Sequence, residues 1–255
     1  MRFLFKISLF ALFIGILMNG TKAQEIDPEL LADSILYKKT ISGGAIFHTR
    51  GLGLKFQKGK NLTVNKNLYY EAQFVSMKSN REIKSLNPYF VNAKPYIYGK
   101  QNYVFMLRAG VGINKRLNQK PYWGGVELRY TLSGGASLGL AKPVYLYIIN
   151  FTSSQYEYEI TTEKYEPENH YFDNIYGRAP FTEGLGEMKF YPGIYGKAGL
   201  DFEIGTYKTK INSFEAGGVL EIFPKGIPIM AYNEPRNFFL TLYISYSFGK
   251  RYNTY

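Results

Sequence analysis

The sequence predicts an all-β protein: a single antiparallel transmembrane β-barrel of about eight strands, preceded by a short N-terminal helix or lead-in. Three observations carry this. Phe238 to Phe248 alternates without a break: Phe238, Leu240, Leu242, Ile244, Tyr246 and Phe248 share one face, and Phe239, Thr241, Tyr243, Ser245 and Ser247 the other. Such a run is about as long as a strand that crosses a bilayer at a tilt, and barrels of bacterial outer membranes typically close with one. Aromatic residues make up 17 % of the chain, with 24 Tyr and 19 Phe. Both suit strands, and Tyr suits a membrane interface, where its ring is buried and its hydroxyl wet. The third observation is an export leader at the N-terminus.

That leader has Arg2 and Lys6 at its start, an apolar core from Ile7 to Met18, and Thr21 and Ala23 at the −3 and −1 sites. It reads as a signal peptide over residues 1–23, cut after Ala23. The core is shorter than the roughly 20 residues of a spanning helix. The expected division is a signal peptide at 1–23, a periplasmic lead-in at 24–42 and an outer-membrane barrel at 43–255. The chain has no Cys, which removes disulfides, thiolate chemistry and a lipid-modified N-terminal Cys. Mean hydropathy is slightly negative, as alternating strands require. The formal charge is +11, of which Arg2, Lys6 and Lys22 belong to the leader, leaving +8. A basic exported barrel is expected to meet outer-membrane lipid and lipopolysaccharide phosphates, and other envelope proteins, rather than nucleic acid.

In the lead-in, Asp27-Pro28-Glu29 resembles a helix start, and Leu30, Leu31, Ile35 and Leu36 form a short apolar stripe. A helix of two or three turns and a flexible lead-in both fit. The first predicted strand runs over 43–57, with Leu52, Leu54 and Phe56 outward and Gly51, Gly53 and Lys55 inward. His48 and Arg50 break its phase; a glycine-assisted bulge that resets it and a start outside the membrane both fit. Lys58 to Asn61 has turn chemistry. The second strand covers 68–77, the third 96–113 and the fourth starts at Tyr122-Trp123, with an uncertain end around Gly134-Gly135. A fifth includes Val144 to Asn150. The polar, acidic insert 151–186 follows, and loops of this length are functional or disordered. Strands six (188–204), seven (210–223) and the closing strand complete eight, an even number that returns both termini to the periplasm. On this count the connections after strands one, three, five and seven face outward.

The inward faces carry Glu71, Arg108, Glu127, Arg129, Lys197, Asp201, Glu203, Glu215 and Glu221. An eight-stranded lumen is just wide enough to be filled by side chains. Charges there are expected to pair, because an unpaired buried charge is costly. The set reads as an ionic plug; a proton or solute path and a catalytic acid pair are the alternatives. Nucleophilic chemistry has little to stand on. His48 and His170 are the two histidines, and no spacing sets Ser76, Ser133 or Ser137 beside either. Phe47-His48-Thr49 lacks the serine that an outer-membrane acyl-hydrolase motif would want. Glu168, His170 and Asp173 could hold a divalent ion, but a solvated loop explains them as well. No phosphate-cradling fingerprint is present. No cofactor, metal or catalytic residue is therefore assigned.

Several stretches resemble a family of uncharacterised outer-membrane β-barrel proteins of Bacteroidota-type bacteria. They are Glu82 to Tyr89, Ile97 to Lys100, Gly124 to Tyr130 and Ser133 to Tyr145, within a resemblance spanning 43–149 and the closing strand. It implies the fold and the compartment, and brings no activity and no site residues. The expected role is a structural or accessory subunit of an envelope assembly or secretion complex. A lipid-modifying enzyme of acyl-hydrolase type, a narrow channel and a secreted soluble β-sandwich are the competing readings.

Overall fold

The computed structural model describes residues 37–253, apart from 91, 119–124, 152–157 and 206–208. The expected signal peptide and the short helix lie outside the described residues. Thirteen strands follow: β1 (Lys39–His48), β2 (Gly51–Asn61), β3 (Lys66–Met77), β4 (Lys84–Ser85), β5 (Tyr96–Ile97), β6 (Asn102–Arg116), β7 (Val126–Pro143), β8 (Tyr145–Phe151), β9 (Tyr158–Lys164), β10 (Ile175–Arg178), β11 (Lys189–Ile204), β12 (Lys210–Ile227) and β13 (Arg236–Tyr252). Eight of them close a barrel in the order β1-β13-β12-β11-β7-β6-β3-β2. Every neighbouring pair is antiparallel. The seam is a full ladder between β1 and β13, from Lys39 opposite Tyr252 to His48 opposite Tyr243. Closure leaves no free strand edge.

Alternation assigns the two faces. Phe238, Leu240, Leu242, Ile244, Tyr246 and Phe248 are exposed, whereas Phe239, Thr241, Tyr243, Ser245 and Ser247 are buried. The same pattern holds on β2, β3, β6, β11 and β12. The outside is thus a belt of Leu, Ile, Val and Phe, and every Asp and Glu of the barrel strands points inward.

Two strand assignments change. The predicted first strand is a hairpin, with β1 and β2 joined through Thr49 and Arg50. The phase slip at His48 is this turn, not a bulge: Phe47 faces Leu52 on the outside and His48 faces Gly51 on the inside. The barrel also begins at Lys39 rather than Gly43. The predicted fifth strand does not enter the barrel. β7 runs unbroken through its glycines to Pro143, and β8 lies between β10 and β9 in a separate three-stranded sheet. Lys58 to Asn61 is strand, and the turn follows it at 62–65.

The connections sort accordingly. The chain leaves the barrel after Asn61, Arg116 and Ile204 at the end that carries Lys39 and Tyr252, and after His48, Met77, Pro143 and Ile227 at the other end. The connections expected outward after strands one and three therefore sit at the terminal end instead.

At the loop end, β4 with β5 and β8 with β9 and β10 build an ordered lobe. The acidic insert is much of this lobe rather than an extended polar loop. Tyr96, Val144, Leu146, Ile148, Tyr165 and Ile175 form its core. Asn87 is fully buried, donates to the Ile175 carbonyl at 2.8 Å and accepts from the Tyr89 N–H at 3.0 Å. Asn87→Ala strands both backbone groups. It is expected to destabilise the lobe by about 1–3 kcal/mol, seen as faster hydrogen exchange in 144–178 with β11 to β13 unchanged.

Candidate functional site

The lumen divides into an apolar upper part and an ionic lower part. At the loop end, Val75, Met77, Val104, Met106, Phe223, Phe239 and Ile227 pack with Ile229 and Met230 from the last connection. That connection is tied across the mouth: the Gln101 N–H donates to the Ile229 carbonyl at 3.0 Å, and the Ala231 N–H to the Gly99 carbonyl at 2.7 Å. Beside it Lys100 pairs with Glu82 at 2.7 Å. Burial pulls the Lys100 ammonium below its usual range, and the Glu82 carboxylate opposes that shift.

Below this cap the charges interlock. Lys197 Nζ lies 2.8 Å from Glu71 Oε2 and 3.2 Å from Glu215 Oε1. Glu215 Oε2 meets Lys55 Nζ at 2.7 Å, and Lys55 also donates to Ser245 Oγ at 2.8 Å. Hydroxyls take the remaining acceptor sites. Tyr195 and Ser133 donate to Glu71 at 2.8 and 2.5 Å, and Tyr243 and Thr131 to Glu215 at 2.6 and 3.0 Å. The side chains of Lys197 and Glu71 are 1 % and 0 % exposed, so bulk water does not screen them. Nearer the loops, Arg108 forks onto Glu221 with Nε and Nη2 at 3.0 and 2.9 Å. Its Nη1 donates to Gln73 Oε1 at 3.1 Å, and Ser137 donates to Glu221 at 2.7 Å.

Towards the terminal end, Glu127 accepts from Arg116 at 2.8 Å and Arg129 at 2.6 Å. Arg129 reaches Glu203 at 2.8 Å, and Arg251 also bonds Glu203. Asp201 is buried opposite Arg129 on β7 and Glu215 on β12. All nine inward charges named from sequence thus lie in the lumen. Lys55, Arg116 and Arg251 join them. The carboxylates Glu71, Glu127, Asp201, Glu203, Glu215 and Glu221 are then matched one for one by Lys55, Arg108, Arg116, Arg129, Lys197 and Arg251. Lys55 was legible from its place between Leu54 and Phe56; the two arginines stand at strand ends, where alternation is weakest.

The polar groups of this network are engaged with one another. The carboxylates of Glu71, Glu215 and Glu221 are saturated with donors, and the hydroxyls of Ser133 and Ser137 are committed to two of them. Ser76 donates to the Leu52 carbonyl at 3.0 Å on the outer wall. His48 points inward at the end of β1, and its Nδ1 accepts the Arg50 N–H at 3.2 Å. His170 is in the lobe, with Nε2 3.2 Å from Glu163 Oε2 and Nδ1 accepting the Glu166 N–H at 3.0 Å. Thr161, Asn150 and His170 hold the Glu163 carboxyl below its usual range by hydrogen bonding. The two histidines belong to different parts of the molecule. Among the described residues, no three His, Asp or Glu side chains converge as metal ligands.

No protein-family model and no curated protein matches the sequence. Solved structures similar to it include Ail, the attachment invasion locus protein of Yersinia pestis, at 10 % identity and a TM-score of 0.37, covering 85 % of this chain and 99 % of Ail. Ail in complex with the heparin analogue sucrose octasulfate aligns at 13 % identity and a TM-score of 0.39, with the same coverage. Neisserial surface protein A aligns at 9 % identity and a TM-score of 0.37, covering 85 % of this chain and 96 % of that one. The barrel assignment itself stands on the unbroken strand register.

Proposed function

We propose that this chain is an integral outer-membrane barrel with a sealed lumen, serving as a structural or accessory subunit of an envelope assembly or secretion complex. One observation carries the reading: the outer face of the barrel strands is a continuous apolar belt, while every carboxylate of those strands faces in. A protein folded for water places them the other way, since charged groups are buried only when paired. An apolar wall around a closed hydrogen-bonded ladder meets the demands of a bilayer. The resemblance to outer-membrane barrels of Bacteroidota-type bacteria supports the compartment, as does the leader expected at 1–23. On this reading the termini and short turns face the periplasm, and the lobe stands outside the cell. Envelope proteins would dock on the lobe, whose exposed aromatics include Tyr89, Tyr158, Tyr171 and Phe172. Lipid and lipopolysaccharide surround the belt.

Two measurements test this. Purification from native membranes in mild detergent, after cross-linking, is expected to recover a stable envelope partner that a variant lacking 146–178 loses. Recovery of the monomer alone would count against the subunit role. In planar bilayers the purified barrel is expected to give no resolved current steps, because the ion pairs and the Ile229–Met230 cap fill the path. Regular unitary steps would make it a channel.

A further inference from the structure

The terminal end of the barrel is basic on its outer wall. Lysines stand just beyond the apolar belt on six strands. On β2, Lys58 and Lys60 follow Phe56; on β3, Lys66 precedes Leu68; on β6, Lys115 follows Ile113; on β13, Lys250 follows Phe248. Lys39 and Lys210 hold the matching positions on β1 and β12. The register opposes them directly, Lys39 to Lys60, Lys66 to Lys115 and Lys210 to Lys250. Like charges facing each other across a ladder repel. No carboxylate of the barrel strands shares this face, since all of them point into the lumen. Between Lys66 and Lys115, an anion supplied from outside would relieve the repulsion.

At one of these pairs the wall beside it is hollow. A groove of about 710 Å³ starts at Leu68 and Ile113, the next outward residues after Lys66 and Lys115, and passes Leu132, Gly134 and Gly196 to Leu220. Its depth comes from missing side chains. A Cβ on Gly196 would meet nothing within 4 Å, and one on Gly134 only the Tyr195 carbonyl at 3.3 Å. Gly196 has room for a larger residue that the sequence does not supply, whereas at Gly134 a side chain would crowd the Tyr195 carbonyl. The register carries the groove from the end of β3 to the middle of β12, obliquely up the belt.

We infer that Lys66, Lys115 and this groove bind one anionic phospholipid, its phosphate between the two ammonium groups and an acyl chain along the groove. A cation beside an apolar channel at the edge of a lipid-facing belt matches the two halves of such a molecule. The choice of phospholipid rests on the proposed orientation, which puts this end in the periplasmic leaflet. Native mass spectrometry of the delipidated full-length barrel with phosphatidylglycerol, phosphatidylcholine and inorganic phosphate tests it. Phosphatidylglycerol is expected to be retained at least tenfold more tightly than phosphatidylcholine. The K66Q/K115Q double variant should lose that preference, and Gly196→Leu should weaken the lipid but not phosphate. Equal retention of the two lipids, an unchanged preference in K66Q/K115Q, or full displacement by equimolar phosphate overturns the inference. The folded-barrel shift in gel mobility is scored on the same samples. A folded barrel without lipid preference sinks this site alone, whereas a chain that never folds in detergent sinks the membrane reading.

Discussion

Lys197→Met is expected to lower barrel stability by about 3–5 kcal/mol, the cost of breaking a buried ion pair by removing one partner. Lys197 is the cation that joins Glu71 to Glu215, at 2.8 and 3.2 Å. Without it Glu71 keeps only neutral donors, Ser133, Tyr195, Gln73 and Gln57. Glu215 still has Lys55, so the larger share of the loss falls on Glu71. Adding Glu71→Gln removes the stranded charge. The double variant should therefore recover part of the loss, with a coupling of about 0.5–3 kcal/mol. Urea titrations in lipid vesicles, read by heat-modifiable gel mobility, give the midpoints. If the single variant unfolds with the parent, these charges are screened by water and the lumen is not sealed.

Leu242→Arg is expected to cost about 2–4 kcal/mol, and Phe248→Arg about 0–1 kcal/mol, because the penalty for a charge on a lipid-facing wall falls from the bilayer midplane to its edge. The two side chains are equally open, at 64 % and 62 % exposure. An aqueous account gives them the same small effect. Leu242 sits mid-strand opposite Gly218, whereas Phe248 is two residues from Lys250 and the basic rim. The same titrations separate the two models. Equal, small shifts would place this face in water.

Much of this architecture could be read from residues alone, because a strand has a period of two and the two faces of the barrel differ in chemistry, apolar outside and charged inside. Tyr195, Lys197, Asp201 and Glu203 announce their side of β11 by alternating with Ile194, Ala198, Leu200 and Phe202. The hairpin at Thr49 and Arg50 escaped, because a two-residue turn without Asn-Gly or Asp-Gly looks like a bulge inside one long strand. Its signature was the phase slip at His48. Val144 to Asn150 is apolar enough to read as a barrel strand, although β8 lies in the lobe. Its apolar residues do not alternate cleanly, however, and seven residues fall short of the roughly nine to eleven that a tilted crossing needs. These two differences offset each other, so the count of eight and the ends of the later connections agree, while the connections after strands one to three fall at the opposite ends. The pairing of the lumen charges lay beyond single-strand reasoning. Glu71 and Lys197 are brought together by register across β3, β6, β7 and β11, and nothing local to either residue specifies the other.

Single-cysteine scanning along β13 is the most direct check on the central claim. The chain has no native Cys, so each nitroxide attached to an introduced thiol reports one position. In vesicles, labels at 238, 240, 242, 244, 246 and 248 are expected to collide with oxygen dissolved in the bilayer. Labels at 239, 241, 243, 245 and 247 should be shielded from oxygen and from a water-soluble relaxation agent alike. Uniform contact with the aqueous agent at the even positions, or no alternation at all, would contradict a greasy-walled cylinder closed around its charges.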